Sequence, residues 1–266
     1  MTRSASPPEE RPVPPQIIPR PGDWRPGGPP PWAVLPPARR ASIGVERVVA
    51  ALGALGQGGA VPEVIDADGV LGPAMLTSES LLPPVRGVNS GVLALLFEEE
   101  REARVVLTRR STYLRTHRGE VSFPGGRLDD REDPASAARR EAHEEVGLDP
   151  TSVTPIGWLH PVMTMVSASL ILPIVATVPR RPHLVANPDE VERVFDVALA
   201  ELADPAVFHE EHWHIPGRII EGSADDSFPV WFFEISGEMI WGATARMLHE
   251  LLSIVLTGHG GVALTS

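Results

Sequence analysis

The chain has 266 residues and a formal net charge of −12, with 42% hydrophobic and 22% charged residues. This balance suits a soluble globular protein of one large domain or two small ones. The absence of cysteine excludes disulfides, thiolate zinc sites and cysteine nucleophiles together. The acidic balance argues against a general nucleic-acid binder. Because no apolar run approaches the roughly 18 residues that span a bilayer and no apolar leader is visible, we expect a cytoplasmic protein without membrane or nucleic-acid partners.

Composition divides the chain into three predicted regions. Residues 1–40 are dense in proline, which denies backbone donors, so they are predicted to form a disordered tail. Residues 41–85 are predicted to contain a helix over IGVERVVAALGAL and a connecting segment. Residues 86–266 carry the remaining patterned segments and are predicted to form the main domain.

The main domain reads as strands with interspersed helices. GVLALLF and ARVVLTRR, separated by EEERE, predict a strand, a turn and a strand. VTPIGWLH, SLILPIVATV and FPVWFFEI predict further strands, DEVERVFDVALAEL a short helix, and WGATARMLHELLSIVL an amphipathic helix. Since helices and strands do not alternate regularly, the pattern predicts a mixed α/β domain and not a doubly wound parallel sheet.

The segment RREAHEEVG, residues 139–147, contains three glutamates close together in a predicted helix. Asp133 followed by Pro134 is a strong helix start, and Gly147 is a suitable helix stop. Alanines at 138 and 142 form a small apolar face that can press closely against a sheet. Arg140 precedes Glu144 by four residues and can hold its carboxylate.

Like charges at this spacing repel each other, so the cluster needs an explanation. One reading is a solvated acidic helix face. The other is a site for Mg²⁺ or Mn²⁺, hard ions that prefer oxygen ligands and stabilise charge when a phosphorus–oxygen bond breaks. The preceding glycines at 125 and 126 favour the second reading, because they allow the backbone to approach a bound group closely.

Residues 126–148 match the Nudix box, G-x5-E-x7-R-E-U-x-E-E-x-G-U, where U is apolar. Every fixed position is filled: Gly126, Glu132, Arg140, Glu141, Glu144, Glu145 and Gly147. The resemblance implies an α/β/α sandwich with a mixed sheet, in which the box forms a loop–helix–loop that binds divalent metal. It also implies that residues 86–266 form a Nudix domain, which hydrolyses a nucleoside diphosphate linked to another group.

The upstream segment LTRRSTYLRTHRGEVSFPGG resembles the motif of the coenzyme A pyrophosphatase branch of Nudix enzymes. Val106 in place of leucine is the one departure, and the two motifs together cover residues 106–148. The resemblance implies hydrolysis of coenzyme A or its thioesters to 4′-phosphopantetheine species and 3′,5′-ADP. A different Nudix substrate, such as ADP-ribose, NADH or a nucleotide sugar, is the alternative, and a Nudix-fold metabolite sensor without turnover is a further one.

The resemblance also implies a role for individual residues. It places Glu141, Glu144 and Glu145 on the metal and makes Arg140 the residue that orients them. Water is the nucleophile, and Glu144 or Glu190 is the candidate general base. The substrate side comprises Arg110, Ser111, Arg115 and Gly126. The implied partner is a small molecule, and a homodimer is possible.

Two further clusters have competing readings. Basic residues crowd the segment 109–118, where arginine forks suit phosphate oxygens, although charges on a strand edge also serve to discourage aggregation. The run HEEHWH, residues 209–214, is rich in potential zinc ligands. It lacks the HExxH spacing of a zinc hydrolase, so it is not predicted to bind zinc.

Overall fold

The computed structural model describes residues 16, 18–58, 87–114, 116–164, 169–214 and 227–259. The helices in chain order are α1 Pro37–Arg40, α2 Val45–Ala54, α3 Pro134–Val146, α4 Leu199–Leu202 and α5 Gly242–Thr257. The strands are β1 Arg25–Pro26, β2 Ser90–Glu99, β3 Glu102–Arg110, β4 Val121–Ser122, β5 Gly125–Arg127, β6 Thr154–Trp158, β7 Val162–Met163, β8 Leu170–Thr177, β9 Val191–Ala198, β10 Phe208–His214, β11 Ser227–Ile235 and β12 Glu238–Trp241.

The larger sheet has eight strands and is mixed, as predicted. Its main path runs β4-β3-β2-β8-β6, with β9 on β3, β5 on β2 and β7 on β8. The β2–β8 pair is parallel, and the other pairs are antiparallel. The predicted hairpin is confirmed as β2 and β3. Glu100 and Arg101 form its turn with φ values of 51° and 67°, the left-handed conformation that a tight hairpin needs.

The two faces of the larger sheet are covered by different helices. Leu93, Leu95 and Phe97 of β2 point to α3, because alternate side chains leave a strand on opposite sides. Ala94 and Leu96 point the other way, into a core shared with α2 and α5. The α/β/α sandwich is therefore confirmed.

The prediction of a helix over DEVERVFDVALAEL is wrong for most of its length. Residues 191–198 form β9, which pairs antiparallel with β3 along its whole length, and only α4 is helical. Valines at 191, 194 and 197 mimic a helical period of three. Their β-branched side chains, together with Phe195, suit a pleated strand whose partner lies about ninety residues earlier.

A second, four-stranded sheet has the order β1-β10-β11-β12. One face of β11 presents Trp231 and Phe233 to α5 and the main core. The opposite face, with Phe232 and Val230, forms a smaller cluster with Trp213 of β10 and Ile18. The C-terminal helix is thus held between the two sheets, and the predicted strand and helix in this region are confirmed.

The prediction of a disordered tail over residues 1–40 is wrong for the part that the structure describes. β1 pairs antiparallel with β10, and Trp32 is completely buried against Phe208 and His249. Proline-rich composition does not prevent docking, because a single large aromatic side chain buries enough apolar surface to hold an extended segment. Residues 1–15 and 17 lie outside the described residues.

The helix predicted within residues 41–85 packs into the core of the main domain. Val48 and Leu52 of α2, a helix predicted from sequence, are fully buried in the same cluster as α5. The connecting segment lies outside the described residues from 59 to 86. Within the described ranges, none of the helices combines the length and apolarity that crossing a bilayer requires.

Because the imidazole of His249 is buried, we expect the stability of the fold to decrease in acid. The imidazole stacks on Trp231 at 4.7 Å between ring centroids, and burial lowers its pKa to about 4. The unfolded chain takes up this proton near pH 6.5, so stability is full above that pH and is lost as the pH falls toward 4.

We therefore expect the free energy of unfolding to fall more steeply between pH 7.5 and 4.5 in the native protein than in His249→Gln. The expected difference is about 2–3 kcal/mol, measured by urea unfolding at both pH values. Equal pH dependence of the two proteins would show that folding does not lower the pKa of His249.

Candidate active site

The loop–helix–loop of residues 121–147 is held by backbone and capping contacts. Asp133 caps α3 by accepting hydrogen bonds from the amides of Ala135 and Ser136, as its sequence predicts. Gly147 ends the helix in the left-handed conformation, with φ 67°. Ala138 and Ala142 are fully buried against the sheet, so the small apolar face brings the helix close to β2.

Glycines allow the loop, the helix and the sheet to approach without side chains between them. A Cβ at Gly126 would overlap the carboxylate of Glu141. A Cβ at Gly91 would overlap the backbone of Pro134 at the start of α3. Gly125 has φ 143° and lies against the backbone of Val92. The sequence reading missed Gly91, although a glycine inside a strand is a signal for close backbone approach.

Arg140 contacts three glutamates of the box, on α3 and on the loop before it. Its Nε and Nη2 donate to the two oxygens of Glu132 at 3.1 and 2.9 Å, and Nη2 also donates to the Arg127 carbonyl at 2.9 Å. Its Nη1 lies 3.0 Å from Glu141 and 3.4 Å from Glu144. The hydrogen bond from Arg140 lowers the pKa of Glu132. Arg140 therefore ties the loop to the helix, with Glu132 as its main partner.

Glu145 is the buried carboxylate of the cluster, with 2% of its surface exposed. One oxygen accepts a hydrogen bond from the Gly125 amide at 3.1 Å, and the other lies 3.5 Å from Nη1 of Arg110. Its pKa is raised to about 7, mainly by burial and in addition by the charges of Glu141 and Glu190. A cation close to this carboxylate would offset both effects.

Glu141 and Glu190 belong to the same electrostatic group as Glu145. Burial raises the pKa of Glu141, and the charges of Glu144 and Glu190 add to that effect. The Glu190 amide bonds the Asn187 carbonyl at 3.1 Å, while the Asn187 amide bonds the Glu145 carbonyl at 2.8 Å. A turn at 187–190 thereby carries Glu190 to the acidic helix. Glu144 differs, because about half of its side chain is exposed to solvent.

The substrate-side residues fall into three groups. Arg110, at the end of β3, faces Glu145, and Ser111 is buried, with its amide bonded to the Glu190 carbonyl at 2.7 Å. Gly126 lies against Glu141 as described. Arg115 lies outside the described residues, so its role remains a prediction.

Arg109 points to the opposite side of β3 from Arg110. It is 5% exposed and lies 3.2 Å from Glu192 and 2.5 Å from the buried Glu238 of β12. Arg109 therefore forms a structural ion pair between the two sheets. The crowding of arginines in the sequence did not show which of them would contact phosphate and which would form such a pair.

The histidine-rich run of β10 is used for internal contacts. Glu211 is 1% exposed and accepts from Arg20 and from the Trp213 indole at 2.7 Å. Glu210 accepts from the Trp231 indole and from His212. These contacts explain the acidic residues of the run without a metal ion.

The donor set on α3 fits a hard divalent ion by chemistry. The groups are carboxylate oxygens, and the buried Glu145 gains from a nearby positive charge. Among the residues that the structure describes, however, no three histidine, aspartate or glutamate side chains converge closely enough to form a ready metal site. The carboxylates of the helix thus fit the ion by the chemical type of their donor atoms.

The glutamates of α3, the glycine loop packed against them and Arg110 beside Glu145 form the candidate active site, which coincides with the Nudix box. The family model described as NUDIX domain matches residues 88–217. The uncharacterized Nudix hydrolase NudL from Citrobacter koseri is 37% identical over 176 residues, which cover 64% of this chain and 87% of the relative. The NudL of Escherichia coli K12 is 37% identical over 148 residues, covering 55% and 72% respectively.

The chain therefore belongs to the Nudix hydrolase family, whose members are pyrophosphohydrolases. Among solved structures, the Nudix hydrolase RenU from M. smegmatis is 24% identical, with a TM-score of 0.37, over 44% of this chain and 74% of that one.

Proposed function

We propose that the enzyme hydrolyses the pyrophosphate of coenzyme A and its thioesters, with Mg²⁺ or Mn²⁺, in the cytoplasm. The products are 4′-phosphopantetheine species and 3′,5′-ADP. One observation carries the proposal: Arg110 of the upstream motif and Glu145 of the Nudix box lie 3.5 Å apart. The motif that resembles the coenzyme A branch and the motif for metal therefore meet at a single point.

This arrangement suits a substrate that carries several phosphates. The carboxylates of Glu141, Glu144 and Glu145 would hold the ion. When bound, the ion would stabilise the negative charge that develops as the pyrophosphate bond breaks. Arg110, which lies 3.5 Å from Glu145, would donate hydrogen bonds from its planar guanidinium to a phosphate oxygen of the substrate. Ser111 would fix the end of β3 beside it, and Arg115 would contact a phosphate that the box does not reach.

The proton of the attacking water needs a base close to the ion. Glu190 is our preferred candidate, because its charge acts on both Glu141 and Glu145 while its backbone is fixed by Asn187 and Ser111. Glu144 is half exposed and lies beside Arg140, so it is better placed as a ligand at the rim.

The base assignment predicts different behaviour for two matched variants. We expect Glu190→Gln to lower kcat by about a hundredfold or more, since general base catalysis contributes 10²–10⁴-fold. The Kd for Mn²⁺ should stay within a few-fold, because Glu190 is not a main ligand. Glu144→Gln should raise the Kd for Mn²⁺ and recover part of its activity at high metal. The opposite pattern, with recovery by metal in Glu190→Gln only, would reverse the two roles.

A substrate panel read by product mass tests the proposed function. The purified enzyme would be assayed with Mg²⁺ or Mn²⁺ on coenzyme A, acetyl-coenzyme A, dephospho-coenzyme A, ADP-ribose, NADH and a nucleotide sugar. We expect coenzyme A and its thioester to give the highest kcat/KM and to yield 3′,5′-ADP. A higher kcat/KM for ADP-ribose, NADH or the sugar would overturn the coenzyme A assignment, and no turnover of any compound would favour a sensor.

A further inference from the structure

The described residues of the N-terminal segment reach from the main core to the substrate side of the site. We call residues 16 and 18–34 the N-terminal strap. Trp32 fixes one end in the core, where it lies between Phe208 and His249. β1 then pairs with β10, and the Gly27 amide bonds the Glu210 carbonyl at 2.7 Å. The strap lies outside the residues that the Nudix family model matches.

A charged anchor holds the middle of the strap. Both oxygens of the buried Glu211 contact the Arg20 guanidinium, at 2.9 and 2.6 Å. That guanidinium also lies over the rings of Trp24 and Phe232, at 4.9 and 5.7 Å from their centroids. Because Glu211 is almost fully buried, releasing Arg20 would leave an uncompensated charge, so this contact sets the position of the strap firmly.

The other end of the strap reaches the turn that borders the site. Nε2 of Gln16 donates to the Gly119 carbonyl at 2.6 Å. The Gly119 amide in turn bonds the Arg110 carbonyl at 3.2 Å, and the Arg110 amide bonds the Glu120 carbonyl at 2.9 Å. A chain of direct contacts therefore connects Gln16, Gly119 and Arg110, and it ends at Glu145.

We propose that Gln16, at the outer end of the N-terminal strap, is a positioning residue that holds the 116–120 turn and, through this turn, Arg110. The turn contains two residues with positive φ, His117 at 56° and Gly119 at 66°. The left-handed conformation of His117, which is not a glycine, has to be supported by surrounding contacts. The hydrogen bond from Gln16 adds one such contact to those within the turn. The proposal rests on the proposed function only in taking Arg110 as a substrate-binding residue.

Two variants of Gln16 separate a hydrogen bond from simple packing. Gln16→Ala removes the side chain, and Gln16→Glu keeps its shape but removes the donor. With coenzyme A, we expect both variants to raise KM by about two- to tenfold, the scale of one lost hydrogen bond, with kcat within about twofold. Val34→Ala is the control, since Val34 lies on the strap and is 87% exposed.

Hydrogen exchange of the 116–120 peptide tests the coupling without any substrate. We expect faster exchange of the Gly119 and Glu120 amides in both Gln16 variants, at an unchanged melting temperature, and native exchange in Val34→Ala. Native exchange and a native KM in both Gln16 variants would overturn the proposal. If the native enzyme does not turn over coenzyme A, the proposed function fails, while the exchange experiment still decides whether the strap holds the turn.

Discussion

Replacing Glu145 with glutamine is expected to lower metal-dependent kcat/KM by more than about a hundredfold. Loss of a residue that only supports a metal ligand costs about 10- to 100-fold in affinity or activity, and a direct ligand should cost at least as much. Glutamine preserves the volume and can still accept from the Gly125 amide. The assay is a Mg²⁺ titration of turnover in the native and variant enzymes.

The fold of Glu145→Gln should remain intact, and its stability provides the control. The folded-state pKa of Glu145 is about 7, above its ordinary value of 4.5, so its ionisation destabilises the metal-free fold as the pH rises through this range. We therefore expect the metal-free variant at pH 8 to be at least as stable as the native protein. Metal should raise the melting temperature of the native protein only. A native response of the variant to Mg²⁺ would remove Glu145 from the metal site.

Trp32→Ala is expected to destabilise the protein by about 3–5 kcal/mol, the usual range for deleting a fully buried tryptophan. The cavity would open between β10 and α5, where Trp32 contacts Phe208 and His249. For a chain of this size the loss corresponds to a melting temperature lower by roughly 6–20 °C. Thermal unfolding followed by circular dichroism measures it.

Val34→Ala is the matched control for this change, because the two residues share one short helical turn. Val34 is 87% exposed, so its truncation should change stability by less than about 0.5 kcal/mol. Equal melting temperatures for Trp32→Ala and the native protein would show that the strap does not dock in solution.

The elements with strong sequence periodicity or clear capping residues were predicted correctly. The hairpin of β2 and β3, the capped helix α3 and the amphipathic helix α5 all follow from periodicity and capping residues. β9 was missed because valines at spacing three imitate a helix until the partner strand is known. Trp32 was missed because its proline-rich neighbours dominate the composition.

The candidate site was predictable to the extent that it is one contiguous motif. The Nudix box places the glutamates on one helix, and the caps of α3 follow from Asp133 and Gly147. In contrast, the ion pair of Arg109 with Glu238 joins residues 129 positions apart. Long-range pairs of this kind depend on how the two sheets meet, and no local pattern encodes that.

The sharing of one core by distant segments has a practical consequence for defining the minimal enzyme. The residues matched by the family model end at 217, before β11, β12 and α5. Those elements, together with Trp32 and α2, contribute much of the core on one side of the larger sheet. A recombinant fragment trimmed to residues 88–217 would carry every proposed metal ligand and yet expose that side to water. The unit that folds is therefore larger than the unit that the motifs outline.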